Sequence, residues 1–416
     1  MSIQVIIAIL LCFTAFCSFI NYRFIRLPPS IGITLIALVF STIMILLTRE
    51  KIVHFKFVYE LANSTDFNAT FMGGMISFLL FAGALQLNTL ELAKEKTMIF
   101  VLATFGVLIS TFLVGILTWI VTQIVGVQFN LLDCFIFGAL IAPTDPIAVM
   151  SVLKRLSAPK ALETKIAGES LFNDGTGIVV FVILVSLLTG EHKPEGFNIV
   201  LLFVKQLFGG LLYGFLLGIF TSTLLKKIND FHVSALITLA MVSGGYLLAL
   251  RLNVSGPISI VMAGLIVGTK LRSGLMSEGV IRQLSSFWTL MDETLNAILF
   301  VLIGLEFLKL PLNIDALISA AAAIPIVLFS RFISVALPIT LFKPFRGFTP
   351  NTIKIMTWGG LRGGVSIALA LSLQSSPVRN EIITVTYAVV VFSLLVQGLT
   401  IGPFIRNQLR RNENGN

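Results

Sequence analysis

Apolar runs of roughly bilayer-crossing length recur from residue 3 to residue 405, with only short polar breaks between them. A hydrocarbon core about 30 Å thick takes roughly 20 apolar residues in a helix. By that measure the pattern predicts about thirteen transmembrane helices, over residues 3–20, 31–48, 70–87, 98–125, 131–153, 166–189, 198–225, 232–250, 256–270, 286–308, 316–341, 351–374 and 380–405. The ninth is short for a span. Gly209-Gly210 and Gly244-Gly245 lie inside spans, where closely packed backbones favour glycine. The expected fold class is an all-α polytopic membrane protein. Residues 1–416 contain nothing that resembles an independent soluble module, so they are read as a single membrane domain.

Composition agrees with the pattern. Charged residues make up 12% of the chain, against about 25% in ordinary soluble domains, and the mean hydropathy is +0.98. The net charge of +9 is spread singly over short loops, without the basic, aromatic-interleaved cluster a nucleic acid needs. Membrane topology accounts for it better. Ser2 to Ile20 has no basic residue before its apolar core and is followed by Arg23 and Arg26, the reverse of a cleavable signal peptide. It is read as a first span with the N-terminus outside. From that start, alternate loops and the C-terminal tail hold most of the Lys and Arg, including Arg23, Arg26, Lys154, Arg155, Lys160, Lys165, Lys226, Lys227, Arg282, Arg410 and Arg411. By the positive-inside rule these are cytoplasmic. Cys12, Cys17 and Cys134 sit in or at the edge of apolar runs and read as small apolar fillers. With three histidines in the chain, no zinc site and no cofactor is implied.

Lys205, Arg331, Lys354 and Arg362 fall inside the spans, as do several acids. A charge at mid-bilayer costs at least about 3 kcal/mol, so each needs a partner, a wet cavity or a function. Lys205 and Lys354 lie near span ends and can snorkel. Asp145, Glu169, Asp174, Arg331 and Arg362 cannot. The densest cluster is Gly168-Glu169-Ser170-Leu171-Phe172-Asn173-Asp174-Gly175-Thr176-Gly177 in the sixth span. Four-residue spacing sets Glu169 beside Asn173 and Ser170 beside Asp174. Glu169 and Asp174, five apart, diverge by more than a hundred degrees and take different roles. An aspartate facing a cavity holds either a proton or a small hard cation, and that competition suffices for exchange. Glu306, near the outer end of the tenth span, and Asp292-Glu293, near its inner end, read as interfacial.

Two spans are interrupted. Ala142-Pro143-Thr144-Asp145-Pro146 breaks the fifth, because two prolines remove backbone donors and disfavour helix before them. Asp145 followed by Pro146 suits the cap and first turn of a second half-helix. Gly359-Gly360-Leu361-Arg362-Gly363-Gly364 interrupts the twelfth, where glycine makes unwound backbone accessible. Five and twelve are an odd number of spans apart, which reverses orientation. Spans one to six and eight to thirteen are therefore expected to be inverted repeats with crossing broken helices, although no residue-level repeat accompanies them. In the crossing, Asp145 compensates positive helix N-termini and Arg362 negative C-termini. Arg331 has no carboxylate within reach on its own helix, and Glu169 is its candidate partner. That pairing leaves Asp174 to titrate.

Taken together, Gly-Glu-Ser-Leu-Phe-Asn-Asp at 168–174, Thr144-Asp145-Pro146, Arg331 and the glycine-rich segment around Arg362 resemble the sodium/proton exchanger family. More narrowly, they resemble bacterial members of the monovalent cation:proton antiporter-1 type. The resemblance spans essentially the whole chain. It implies a secondary transporter, not an enzyme, in which Asp174 binds Na⁺ (or Li⁺ or K⁺) and H⁺ in competition. Thr144, Asp145, Ser170 and Asn173 help shape the site, and Glu169 pairs with Arg331. It further implies core helices at about 98–189 and 316–405 moving against a scaffold that forms a homodimer, in a bacterial inner membrane. Asn173 before the Asp goes with electroneutral one-for-one exchange in that family. One departure stands out: some members carry a glutamate after the third-span phenylalanine, and here Phe81 precedes Ala82. Two other readings fit the buried charges less well. An intramembrane aspartyl protease would need Asp145 and Asp174 to share a proton, and a cation-coupled organic anion symporter would need half-helix N-termini to hold a carboxylate.

Overall fold

The computed structural model describes residues 3–49, 71–125, 129–190, 196–310, 314–341, 350–374 and 378–413. Helix occupies every interval in which the apolar pattern placed a span, and no strand occurs among the described residues. In chain order the helices are α1 (Ile3–Ile20), α2 (Pro29–Arg49), α3 (Ile76–Gln86), α4 (Thr89–Val101), α5 (Val107–Val125), α6 (Leu131–Ile141), α7 (Ile147–Arg155), α8 (Lys160–Leu188) and α9 (Gly196–Leu225). They continue as α10 (Phe231–Arg251), α11 (Gly256–Arg272), α12 (Glu278–Glu306), α13 (Ile314–Leu341), α14 (Pro350–Trp358), α15 (Gly364–Leu371), α16 (Arg379–Phe392) and α17 (Gly398–Glu413). A π turn at Leu102–Gly106 joins α4 to α5, and another at Ser393–Gln397 joins α16 to α17. Among the described residues, eight helices are long and apolar enough to cross a membrane, and Phe71–Gln86 and Leu131–Ile141 are shorter apolar helices.

Several helices outrun their apolar windows. α4 begins at Thr89 rather than residue 98, α8 at Lys160 rather than 166, and α12 at Glu278 rather than 286. Apolarity marks where hydrocarbon begins, not where helix begins. Asn88 caps α4 by accepting from the Leu90 and Glu91 amides, and Glu91 pairs with Lys94 at 2.8 Å one turn on. Such polar bonds carry helix beyond the bilayer.

The chain divides into two compact units, one of Met1–Phe71, Ser110–Ala158 and Asn296–Asn416, the other of Met72–Ile109 and Pro159–Leu295. In the first, α2 packs on α1 and on the turn Phe307–Lys309, while α15 packs on α6 and α16, and α13 on α14 and α16. Glycine at 304 lets α12 meet Ala37 of α2, and the Gly304 carbonyl accepts from Ser41 Oγ at 2.7 Å.

In the second unit α11 is central, packed against α9 and α3. Gly210, Gly214 and Gly218 run along α9 four residues apart and face the backbone of Ser255, the cap of α11, and of Ser259 and Ala263 within it. Without a hydrophobic drive between lipid-solvated helices, such close backbone contact is a main source of packing energy. A methyl at Gly214 would overlap the Ser259 carbonyl, whereas at Gly244 it would meet nothing within 4 Å. Gly214→Ala is therefore expected to cost about 1–3 kcal/mol, read as a lowered thermal midpoint in detergent, and Gly244→Ala to leave the midpoint in place. On the far side of α11, Gly264 meets Phe81, whose ring lies 4.6 Å from that of Trp288. The Trp288 indole donates to Thr238 Oγ1 at 3.1 Å. Ala82 beside Phe81 is fully buried.

Candidate functional site

Breaking the fifth span between α6 and α7 leaves carbonyls without helical donors. In an unbroken helix the Ala142 carbonyl would accept from the amide of residue 146 and the Pro143 carbonyl from that of residue 147. Pro146 has no N–H, and the Ile147 N–H goes instead to Asp145 Oδ1 at 2.9 Å. Arg362 replaces both donors, since its Nη1 bonds to the carbonyl oxygens of Ala142 and Pro143, the latter at 3.0 Å. This side chain is 2% exposed. It lies at the C-terminal end of α6, where the helix dipole favours a cation. Arg362 thus meets this end of α6 with a pair of specific hydrogen bonds.

The two breaks are tied backbone to backbone: the Asp145 N–H donates to the Leu361 carbonyl at 2.7 Å, forming an isolated antiparallel bridge. The half-buried Asp145 carboxylate serves the N-terminus of α7 through Ile147 and lies beside Gly363, the residue that caps α15. The cap of α7 is Pro146 rather than Asp145, which stands one residue before it. The break is unwound, yet among the described residues the glycines with positive φ are Gly190 and Gly274, outside it. Space, not backbone freedom, requires glycine here. A methyl at Gly360 would lie 2.5 Å from Arg331 Nε, and one at Gly363 would lie 2.7 Å from Asp145 Cβ and Oδ2. Gly363→Ala is expected to cost about 1–3 kcal/mol by overpacking, measured against wild type by thermal unfolding in detergent.

At the twelfth-span break, Arg331 Nη2 donates to the Met356 carbonyl at 3.3 Å, and Gln397 Nε2 to the Trp358 carbonyl at 3.0 Å. These are last-turn carbonyls of α14. Arg331, Arg362 and Gln397 line one small cavity together with Ile324, Val327 and Phe392, with room for about one water molecule. Gln397 and Ser393, both buried, lie in the π turn of the last span. Neither was singled out from the sequence. The available signal was the one applied elsewhere, a polar side chain within an apolar run.

The second unit holds the carboxylate cluster. α8 runs unbroken through 168–177. Glu169, Ser170 and Asn173 are buried, and Asn173 Nδ2 donates to Glu169 Oε1 at 2.9 Å, the pairing that four-residue spacing implied. Asp174 is half-buried beside them. The bond fixes the asparagine amide with its nitrogen toward Glu169, so the Asn173 carbonyl oxygen points away as an acceptor. One turn before Glu169, Lys165 is 4% exposed and pairs with Glu95 of α4 at 3.4 Å. The positive-inside pattern places Lys165 among the loop cations. It is instead inside α8, because that helix starts before its apolar stretch. Glu306, read as interfacial, does end α12, but it is buried and pairs with Lys309 at 2.6 Å. Of the residues expected to act, Thr144, Asp145, Arg331 and Arg362 belong to the first unit, and Glu169, Ser170, Asn173 and Asp174 to the second.

The family model described as "Sodium/hydrogen exchanger, transmembrane" matches residues 8–407. Among relatives, the Na(+)/H(+) antiporter NhaP of Pseudomonas aeruginosa is 44% identical over 407 residues, covering 96% of each chain. The Na(+)/H(+) antiporter NhaH of Halobacillus dabanensis is 32% identical over 390 residues, 92% of this chain and 93% of that one. The solved structure of the sodium proton antiporter MjNhaP1 from Methanocaldococcus jannaschii superposes with a TM-score of 0.77 at 18% identity, covering 98% of this chain and all of that one. At that identity the likeness establishes fold. With the family model running nearly end to end and a relative at 44% identity over 96% of both lengths, this chain belongs to the sodium/hydrogen exchanger family.

Proposed function

We propose that this chain is a secondary antiporter that exchanges Na⁺ for H⁺ across the membrane by alternating access, cation and proton competing for Asp174. The observation that carries the reading is Asp174 itself. It is a half-buried carboxylate in the middle of an apolar helix, next to a buried Glu169–Asn173 hydrogen bond, in a chain whose relatives are named Na(+)/H(+) antiporters. Ionised, it offers a cation two oxygens; protonated, it offers neither charge nor a second site. Ser170 and Asn173 supply neutral oxygens one turn and one residue away on α8. The addition of Thr144 and Asp145 to the site, and the pairing of Glu169 with Arg331, are carried into this proposal from the sequence resemblance. The aspartyl-protease and symporter alternatives find no support among the relatives.

With Asn173 in place of a second aspartate, the exchange is one Na⁺ for one H⁺ and moves no net charge. Li⁺ and K⁺ are candidate substrates at the same oxygens. The proposal also takes in an inner-membrane location, the N-terminus outside and the C-terminus in the cytoplasm, a homodimer, and core helices at about 98–189 and 316–405 moving against the remainder. Proteoliposomes with a preset pH gradient and an internal pH-sensitive dye test the central claim. Addition of Na⁺ is expected to dissipate the gradient, and clamping the voltage to leave the rate unchanged. Dissipation by none of Na⁺, Li⁺ or K⁺ over a wide pH range would refute ion exchange. A rate that follows voltage would refute the one-for-one count.

A further inference from the structure

An α-helix bonds each carbonyl to the amide four residues on. Across the twelfth-span break the bond that should join the Trp358 carbonyl to the Arg362 amide is missing; the Arg362 amide is buried and the Trp358 carbonyl half-buried, so each needs a protein partner in place of the lost one. Each finds its partner on the last span. The Arg362 N–H donates to Ser393 Oγ at 2.9 Å, Ser393 Oγ donates to Gln397 Oε1 at 2.8 Å, and Gln397 Nε2 donates to the Trp358 carbonyl at 3.0 Å. The polarity is continuous. The serine accepts with its oxygen and donates its proton, and the amide accepts with one end and donates with the other. A two-residue relay is thus inserted between the two partners of one lost helical bond. Ser393 is 1% exposed and Gln397 3% exposed. They are the first and last residues of the π turn Ser393–Gln397, the kind of helical irregularity that recurs at functional positions.

The relay spans the residues that reach the other break. Between its two ends lie Gly359, Gly360 and Leu361, and the Leu361 carbonyl holds the Asp145 amide at 2.7 Å. Arg362, whose backbone the relay grips, holds the Ala142 and Pro143 carbonyls with its side chain. We propose that Ser393 and Gln397 are positioning residues for exchange: their hydrogen-bond relay sets the geometry of the twelfth-span break and, through Leu361 and Arg362, that of Ala142–Asp145. The proposal rests on the reading above that the Thr144-Asp145 segment contributes to cation binding. Neither side chain touches the ion, so the relay acts on how well the site is formed.

The full-length protein in proteoliposomes, with Na⁺ titrated against a fixed pH gradient, gives the first test. Ser393→Ala and Gln397→Leu are each expected to raise the half-saturating Na⁺ concentration about five- to tenfold while the maximal rate per folded protein stays within about twofold, since each breaks the same buried circuit. Ser393→Thr, which keeps the hydroxyl, is expected to return the value to within about twofold of wild type. A role confined to folding would scale the maximal rate and leave half-saturation in place, and that result overturns the proposal. The double variant decides independently of transport. If the two side chains form one circuit, the loss of thermal midpoint in the double is about that of the larger single; additive losses overturn the relay. Asp174→Asn, run alongside, separates the two levels. Exchange that survives in it sinks the assignment of Asp174, while the thermal cycle still judges Ser393 and Gln397.

Discussion

Asp174→Asn is expected to abolish Na⁺-dependent proton movement, lowering the rate at least about a hundredfold, a barrier increase of about 3 kcal/mol by the usual tenfold per 1.36 kcal/mol. The amide matches the carboxylate in shape but cannot titrate and brings no charge to offset that of a cation. Because Asp174 is half-buried within an apolar helix, neutralising it removes a group that is expensive to hold in a bilayer. Folding should therefore survive: the expected thermal midpoint in detergent is equal to or above that of wild type. Dye quenching in vesicles reads the first quantity, and size exclusion with thermal unfolding the second. Undiminished exchange in well-folded Asp174→Asn would move the titrating role to another carboxylate.

The opposite pattern is expected at Arg362. Arg362→Leu removes the donor to two buried carbonyls, Ala142 and Pro143, and it takes the cation from the C-terminal end of α6. Removing the donor from a buried, charge-assisted network costs about 3–5 kcal/mol, a large part of the stability of most proteins. Little folded protein is expected, and what remains should unfold well below wild type. Arg362→Lys keeps the charge but loses the fixed guanidinium geometry. It should recover only part of the midpoint. A variant with leucine at 362 that melts like wild type would show that the crossing does not depend on this side chain.

Much of this arrangement was legible in the sequence because its causes are local. Pro143 and Pro146 cannot continue a helix wherever they stand, so the fifth-span break needed no tertiary information. A charge in an apolar run demands an explanation on its own, which is how Asp145, Asp174, Arg331 and Arg362 stood out. The dipole-compensating roles proposed for Asp145 and Arg362 came from the direction of the half-helices alone. What stayed hidden involved backbone carbonyls, which leave no mark in a sequence. Arg331 prompted a search for a carboxylate, and nothing in the sequence pointed to the bond it gives the Met356 carbonyl. The glycines around Arg362 marked the unwound segment, but the contacts that require them were not visible. A residue's own conformational range is visible in sequence, but the neighbour that would strike its Cβ is not. Lys165 was misplaced for a related reason, since hydropathy locates the hydrocarbon boundary while capping and ion pairing locate the end of a helix.

The bonds from Arg362 to Ala142 and Pro143 join residues 220 and 219 positions apart. During synthesis at about 5–20 residues per second, the fifth span waits about 10–40 seconds before its donor leaves the ribosome. Throughout that interval the Arg362 donor of these carbonyls is absent from the nascent chain, and exposure of such groups to lipid is costly. Ser393 and Gln397, which seal the other break, arrive later still. The half-built protein is thus marked as unfinished by its own broken helix until the last span is made. Chains cut short before that point carry a persistent defect at mid-membrane that folded copies lack, a feature by which membrane quality control can tell the two apart.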